Sequence, residues 1–245
     1  DNKYYGINLA ANYTSGKLKL NIGGGWSYYD GDHYGKIIWA QVATLGQYNR
    51  NWYFNTGTKS DVNLFAKANY KLNESINLYG DVQYRAIHYK INGTHDDLHD
   101  LTQSHKFNFF NPKAGIYYKI NDKQNLYLSA GVANREPNRS VYRDADSSQT
   151  ISPERLTDFE LGYSYSRKSF LVEANLYYMD YRDQLVMTGK INNVGTPIMT
   201  NVSSSYRAGI ELIAGVKLLK IIDWNVNATL SQNKIKDFVS YVDNW

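Results

Sequence analysis

Asn125-Leu126-Tyr127-Leu128-Ser129-Ala130-Gly131-Val132-Ala133 opens the stretch, running on to Tyr181, from which the fold is read. Leu126, Leu128, Ala130 and Val132 point one way, and Asn125, Tyr127, Ser129 and Gly131 the other. Alternation with a period of two marks a strand between an apolar and a polar environment. A second strand is expected from about Thr157, with Phe159, Leu161, Tyr163 and Tyr165 on its apolar face. A third covers Phe170 to Tyr178, with Phe170, Val172, Ala174, Leu176 and Tyr178 opposite Glu173, Asn175 and Tyr177. Only Ser166-Arg167-Lys168-Ser169 joins the second to the third, whereas a polar segment from Arg135 to Ser152 separates the first from the second. Short turn, long loop, short turn is the rhythm of a transmembrane β-barrel.

The same pattern recurs along the chain. Tyr5, Ile7, Leu9, Ala11 and Tyr13 alternate with polar or small residues, turn at Thr14-Ser15-Gly16, and are followed by Leu18, Leu20, Ile22, Gly24 and Trp26. Val62 to Tyr70 and Ile76 to Ala86 form a pair around Lys71-Leu72-Asn73-Glu74-Ser75. Ala114, Ile116, Tyr118 and Ile120 lead through Asn121-Asp122-Lys123-Gln124 into the opening stretch. Ala208 to Val216 and Trp224 to Leu230 make a last pair around Leu219 to Asp223. Long loops are expected from Tyr28 to Ser60, Ile91 to Lys106, Arg135 to Ser152, Gln184 to Thr200, and at the end of the chain. Within the first, Ile37 to Ala43 reads either as a strand extension or as a short amphipathic element. The fold class is therefore all-β: an antiparallel, up-and-down transmembrane barrel with about ten strands present. Gly23-Gly24-Gly25 reads as a bend or close packing, since no helix or Walker pattern follows it to make a phosphate loop.

Composition narrows the function. The 245 residues carry 23 tyrosines, which suit interfacial girdles, yet mean hydropathy is −0.55. No run approaches the length of a transmembrane helix, which leaves a barrel open. The absence of cysteine excludes disulfides, thiolate metal sites and a cysteine nucleophile. A net charge of +4 without a basic block argues against nucleic-acid binding. No GxSxG, HExxH or Walker pattern occurs, so the chain is not read as an enzyme, and no cofactor is implied. Asp30, Asp32 and His33 read as a solvated turn rather than metal ligands, and no metal site is assigned. His95, Asp96, Asp97, His99, Asp100 and His105 lie in one loop, either solvated or a contact surface for a ligand or ion.

Several segments carry a resemblance in family order. Phe110-Asn111-Pro112-Lys113-Ala114-Gly115-Ile116-Tyr117-Tyr118, Ala133-Asn134-Arg135-Glu136-Pro137-Asn138-Arg139 and Ser152-Pro153-Glu154-Arg155-Leu156-Thr157-Asp158-Phe159-Glu160-Leu161-Gly162-Tyr163 are three of them. Tyr177-Tyr178-Met179-Asp180-Tyr181-Arg182-Asp183-Gln184-Leu185 and Asn201-Val202-Ser203-Ser204-Ser205-Tyr206-Arg207-Ala208-Gly209-Ile210-Glu211 complete the series. Together they resemble barrel strands of TonB-dependent outer-membrane receptors, especially those of the Bacteroidetes. The resemblance implies a barrel of about 22 strands, plugged by an N-terminal domain, in the outer membrane of a Gram-negative bacterium. It implies energised uptake of a scarce, large nutrient: a ferric siderophore, haem or cobalamin, with an iron chelate favoured. It also implies outer-membrane lipid, lipopolysaccharide and, through the plug, the TonB complex as partners. No plug or TonB box is read before Asp1 and no terminal strand with an aromatic end is read, so residues 1–245 are expected to be a partial barrel domain. The rival readings are a passive porin or adhesin-like barrel and a soluble β-sandwich.

Ligand contacts are expected in the long loops. Arg135, Arg139 and Arg143 suit an anionic ligand, with structural pairing of Arg135 to a carboxylate as the competing reading. Tyr28 and Trp39, with Tyr29, Tyr34, Trp52 and Tyr53, either stack on a ligand or order their loop, and His95 and His99 complete the candidate set. Lys67, Asp81, Arg85, Lys113, Glu173, Arg207 and Glu211 are expected on the inward face, against a plug, neighbouring strands or a wet lumen.

Overall fold

The computed structural model describes residues 2–42, 46, 48–145, 149–192, 195–218 and 221–240. Ten strands form one antiparallel sheet in sequential order: β1 (Asn2–Ser15), β2 (Leu18–Lys36), β3 (Asn51–Lys71), β4 (Ile76–Gly93), β5 (Gln103–Asn121), β6 (Gln124–Arg135), β7 (Glu154–Arg167), β8 (Phe170–Ile191), β9 (Pro197–Leu218) and β10 (Ile222–Ile235). One helix, α1 (Arg139–Asp144), interrupts the connection from β6 to β7. The residues gather into two compact units, one of Asp1–Ala11, Ile22–Phe65 and Gln83–Phe109, the other of Asn12–Asn21, Ala66–Val82 and Phe110–Trp245.

Register in the second unit follows from the period-two pattern. Ile116, Leu128, Leu161, Leu176, Ile210 and Leu230 are successive cross-strand partners from β5 to β10. The adjacent row is Tyr117, Tyr127, Gly162, Asn175, Glu211 and Thr229. A slip of one residue in any strand would exchange the two rows, so register is strongly specified. Most of the first row is exposed. Large aliphatic side chains in a continuous row need an apolar medium or a second apolar layer over them.

The expected short turns lie where the sequence places them, at Gly16, Asn73, Asp122 and Lys168. At the second, Asn73 accepts hydrogen bonds from the amides of Ser75 and Ile76, and Lys71 pairs with Glu74 at 2.8 Å. Leu219 and Lys220 of the fifth turn, Ala43, Asn193 and residues 241–245 lie outside the described residues. Gly23-Gly24-Gly25 is close packing: the Phe65 ring covers Gly23, Leu64 covers Gly24, and the Asn8 amide lies over Gly25.

The long loops are shorter than expected, because strands continue into them. Tyr28 to Lys36, including Asp30-Gly31-Asp32-His33, belongs to β2 rather than to a turn, and Asn51 to Ser60 belongs to β3. Ile37 to Val42 is not strand, although Ile37 exchanges backbone hydrogen bonds with Asn49 and Arg50. Ile91 to Gly93 ends β4, and Gln103 to Lys106, with His105, begins β5. β8 and β9 run through most of the expected Gln184 to Thr200 loop.

The reason is a reversal of polarity along the strands. In the lower part of β4, Ile76, Leu78, Val82 and Tyr84 share a face with an apolar surround, and Asp81, Gln83 and Arg85 face the other way. Above Ala86 the second face becomes apolar: Ile87, Tyr89 and Ile91 are buried, while His88 and Lys90 occupy the first. β5 does the same, with Phe107 and buried Phe109 against Ser104, Lys106 and Asn108. His105, Phe107 and Phe109 stack at centroid spacings of 6.1 and 5.6 Å. The first face thus changes from apolar to polar partway along β4 and β5.

Candidate functional site

The candidate arginines occupy the β6–β7 connection in the second unit. Arg135 is the last residue of β6, directly opposite Glu154, the first of β7. The guanidinium and carboxylate form an ion pair in which the Arg135 side chain is 71% exposed and that of Glu154 only 8%. The other Glu154 oxygen accepts the Leu185 amide of β8 at 2.7 Å. Arg135 therefore has the structural partner that was the competing reading, and its outer edge still faces solvent. Arg139 opens α1, whose Asn138 cap accepts the Val141 amide at 3.0 Å. Arg143, in the last turn, pairs with buried Asp144 at 2.7 Å. Val141 and Tyr142 are buried as α1 packs on β9. Burial pushes the Tyr142 hydroxyl up to about 12, with the Glu136 charge adding to it.

The remaining candidates belong to the first unit. Tyr28 lies beside Tyr5 and Trp26, with ring centroids 5.5 and 6.5 Å away. It shares its face of β2 with Ile22 and Trp26, the apolar side of that strand's alternation. Trp39 stands 78% exposed in the β2–β3 connection. His95 and His99 do come together, their rings edge to face at 5.3 Å. His95 also meets Tyr53 at 6.3 Å and the Asp96 carboxylate at 3.2 Å, and His99 contacts Asp97. Among the described residues no three His, Cys, Asp or Glu side chains are grouped to hold a metal ion.

This connection, residues 94–102, is a tight hairpin. Trp52 donates to the Asp96 carbonyl at 2.6 Å, buried Asn55 donates to the Thr94 carbonyl at 2.8 Å, and Leu101 is buried beneath it. Burial would raise the Asp97 carboxyl, but hydrogen bonds from the His99 amide and ring, with the His99 and His95 charges, outweigh it and hold it below 3.8. A carboxyl lowered on folding stabilises above its unfolded pKa, and that contribution is lost as pH falls through the folded value. Exchange protection of the His99 amide in the full-length protein is accordingly expected to fade below pH 3.8. An Asp97→Asn variant should lose that pH response, and an unchanged response would dissociate the carboxylate from loop order.

The polar face of β7–β9 carries Glu173, Arg207 and Glu211, which the sequence places on the inward face, together with Asp158 and Glu160, which it did not single out. Tyr127 lies flat across Gly162, where a Cβ would come within 1.9 Å of its ring, and Tyr177 covers Gly209 in the same way. The Tyr127 hydroxyl donates to Asn175 at 2.9 Å. With the rings laid down, Asp158, Glu160, Glu173 and Glu211 stand along one wall. Ser129 donates to Glu160 and Asn175 to Glu211, both at 3.4 Å. Among the described residues none of the four carboxylates forms an ion pair, whereas Lys67 pairs with Asp81 at 3.6 Å and Arg85 with Asp61 at 2.5 Å. Arg207, across from Met179, sits over the Tyr181 ring at 5.1 Å. Tyr opposite Gly in adjacent strands was the available signal for this wall.

Residues 1–245 match the family model described as TonB dependent receptor-like, beta-barrel. The chain belongs to this family. No curated protein sequence matches the receptor chain. Among solved structures, it resembles the copper transporter OprC at 16% identity and a TM-score of 0.79, over 96% of this chain and 38% of that one. The siderophore receptor PiuA from Acinetobacter baumannii matches at 13% identity and 0.70, over 99% and 40%. The ferric-catecholate import receptor Fiu from E. coli K12, closed form, matches at 15% and 0.69, over 97% and 38%. The receptor chain thus spans about two fifths of these relatives. At such identities the likeness is one of fold.

Proposed function

We propose that residues 1–245 are a partial barrel domain of a TonB-dependent receptor of Bacteroidetes type in a Gram-negative outer membrane. The parent protein would take up a large, scarce nutrient, with a ferric siderophore or other iron chelate first, haem or cobalamin next. The family match along the whole chain carries this reading. Copper transporter, siderophore receptor and ferric-catecholate importer, as the similar structures are titled, favour a metal-containing cargo. The exposed edge of Arg135 suits an anionic chelate at the rim, with Arg139 and Arg143 on the same connection and His95, His99 and Trp39 on others. Tyr28 fits the interfacial girdle better than the cargo path.

The carboxylate wall favours a plugged receptor over a passive porin. Four carboxylates on one face, none ion-paired among the described residues, suit a basic domain packed against them, through which the TonB complex would act. Uptake of a radiolabelled ferric siderophore by cells carrying the intact receptor should saturate and stop when a protonophore collapses the proton-motive force. Persistent, non-saturable uptake would decide for the passive pore. Glu160→Lys with Glu211→Lys should cut energised uptake by at least about tenfold, since like charges across an interface cost several kcal/mol. Unchanged uptake would remove the wall from the mechanism.

A further inference from the structure

Methionine is rare in this chain and confined to one place: all three residues, Met179, Met187 and Met199, lie on β8 and β9. Met187 of β8 and Met199 of β9 are direct cross-strand partners. Opposed positions in an antiparallel pair set the Cβ atoms roughly 4.5–5.5 Å apart. The backbone is fixed on both sides of them. Val186 pairs with Thr200 on one side. On the other, the buried Thr188 hydroxyl donates to the Ile198 carbonyl at 2.9 Å and accepts the Lys190 amide at 3.1 Å. Further out, the Asn192 amide donates to the Thr196 carbonyl at 2.9 Å and narrows the connection. Met187 is 63% exposed and Met199 half-buried, so neither thioether is locked into a core.

Thioether sulfur is a soft donor, suited to Cu(I) where carboxylates and carbonyls suit Mg(II), Ca(II) or Mn(II). The methionine side chain is unbranched and turns about three bonds, which lets two sulfurs on opposed strands face one ion. The chain has no cysteine, so thioethers are its only sulfur donors. The third of them, Met179, has Asp158 and Arg207 as cross-strand partners and no second sulfur opposite. We propose that Met187 and Met199 bind a soft monovalent cation of the Cu(I) type between their sulfurs, at the long-connection end of β8 and β9. The site takes a bare ion and not a chelate, so it stands or falls separately from the uptake proposed above.

The test uses the intact receptor in detergent and chloride-free buffer, with Ag(I) nitrate as a redox-inert probe. Dilute hydrogen peroxide converts accessible thioethers to sulfoxides, and peptide mass spectrometry reads the rate at each methionine. With Ag(I) at about ten times its dissociation constant, sulfoxide formation at Met187 and Met199 is expected to slow together by about tenfold. Met179 should oxidise at its unprotected rate, and Mg(II) should protect none of the three. In Met199→Leu, a substitution close in volume, Met187 should oxidise as fast with Ag(I) as without it. Unslowed oxidation of the wild-type pair overturns the proposal without recourse to a variant. Equal protection of all three methionines overturns it as unspecific binding of the ion. Protection of Met187 that survives Met199→Leu overturns the shared site.

Discussion

Gly93→Val is expected to open the hairpin at residues 94–102 to protease in an otherwise folded receptor. Gly93 ends β4 with φ at +112°, a conformation that a β-branched residue reaches only under strain of about 1–3 kcal/mol. A Cβ would also lie 2.4 Å from the Phe54 carbonyl oxygen and 2.9 Å from the Asn55 Cα, both backbone atoms that cannot swing aside. The same spot carries the hairpin's attachments. Thr94 donates to the Phe54 carbonyl at 3.0 Å, and Leu101 donates to the Gly93 carbonyl at 2.8 Å. Below them, Ile91 and Leu101 are almost fully buried. Displacing Gly93 therefore detaches the Asp96 carbonyl from Trp52 and the His95 ring from Tyr53 together. Limited proteolysis of the intact receptor should cut the variant between Thr94 and Thr102 and spare the wild type. Equal resistance would show that β3 yields to the added side chain.

Glu154→Ala should be the most destabilising change at the β6–β8 junction, more so than Arg135→Ala. The carboxylate links three strands, from the β7 end to Arg135 of β6 and to the Leu185 amide of β8. Removing it strands a buried amide donor, at about 2–3 kcal/mol. Removing Arg135 leaves the Glu154 carboxylate without its counter-charge but still bonded to the Leu185 amide, so its loss is the smaller of the two. Glu154→Gln keeps an acceptor for Leu185 and should fall between the two. Thermal unfolding of the three variants in detergent checks the order. A larger loss for Arg135→Ala would mean that the guanidinium organises α1 as well as pairing with Glu154.

Residues meeting an apolar medium made their strands easy to read. From Asn125 to Tyr178 the outward leucines and tyrosines alternate cleanly, and the register Leu128, Leu161, Leu176 follows. Beyond Ala86 the same strand continues, but Ile87, Tyr89 and Ile91 change faces with the buried side, and His88 and Lys90 imitate a polar loop. Asp30-Gly31-Asp32-His33 was misleading for the same reason: turn-like residues on a strand that has left the apolar layer. α1 has six residues, too few to impose a period of 3.6. Of the candidate contacts, the Arg135 pairing followed from its place at a strand end. The carboxylate wall needed register, since only cross-strand alignment brings Glu160, Tyr177, Asn175 and Glu211 onto neighbouring positions.

β8 and β9 are 22 residues each, about 70 Å of extended chain, against an apolar band of about 25 Å. In the outer membrane proposed above, much of each strand would stand beyond the bilayer even at a tilt. An antibody or phage approaching the cell would thus find, below the capping connections, a wide area of woven sheet. Its epitope would draw alternate residues from neighbouring strands, so a linear peptide copied from any one connection would make a poor immunogen.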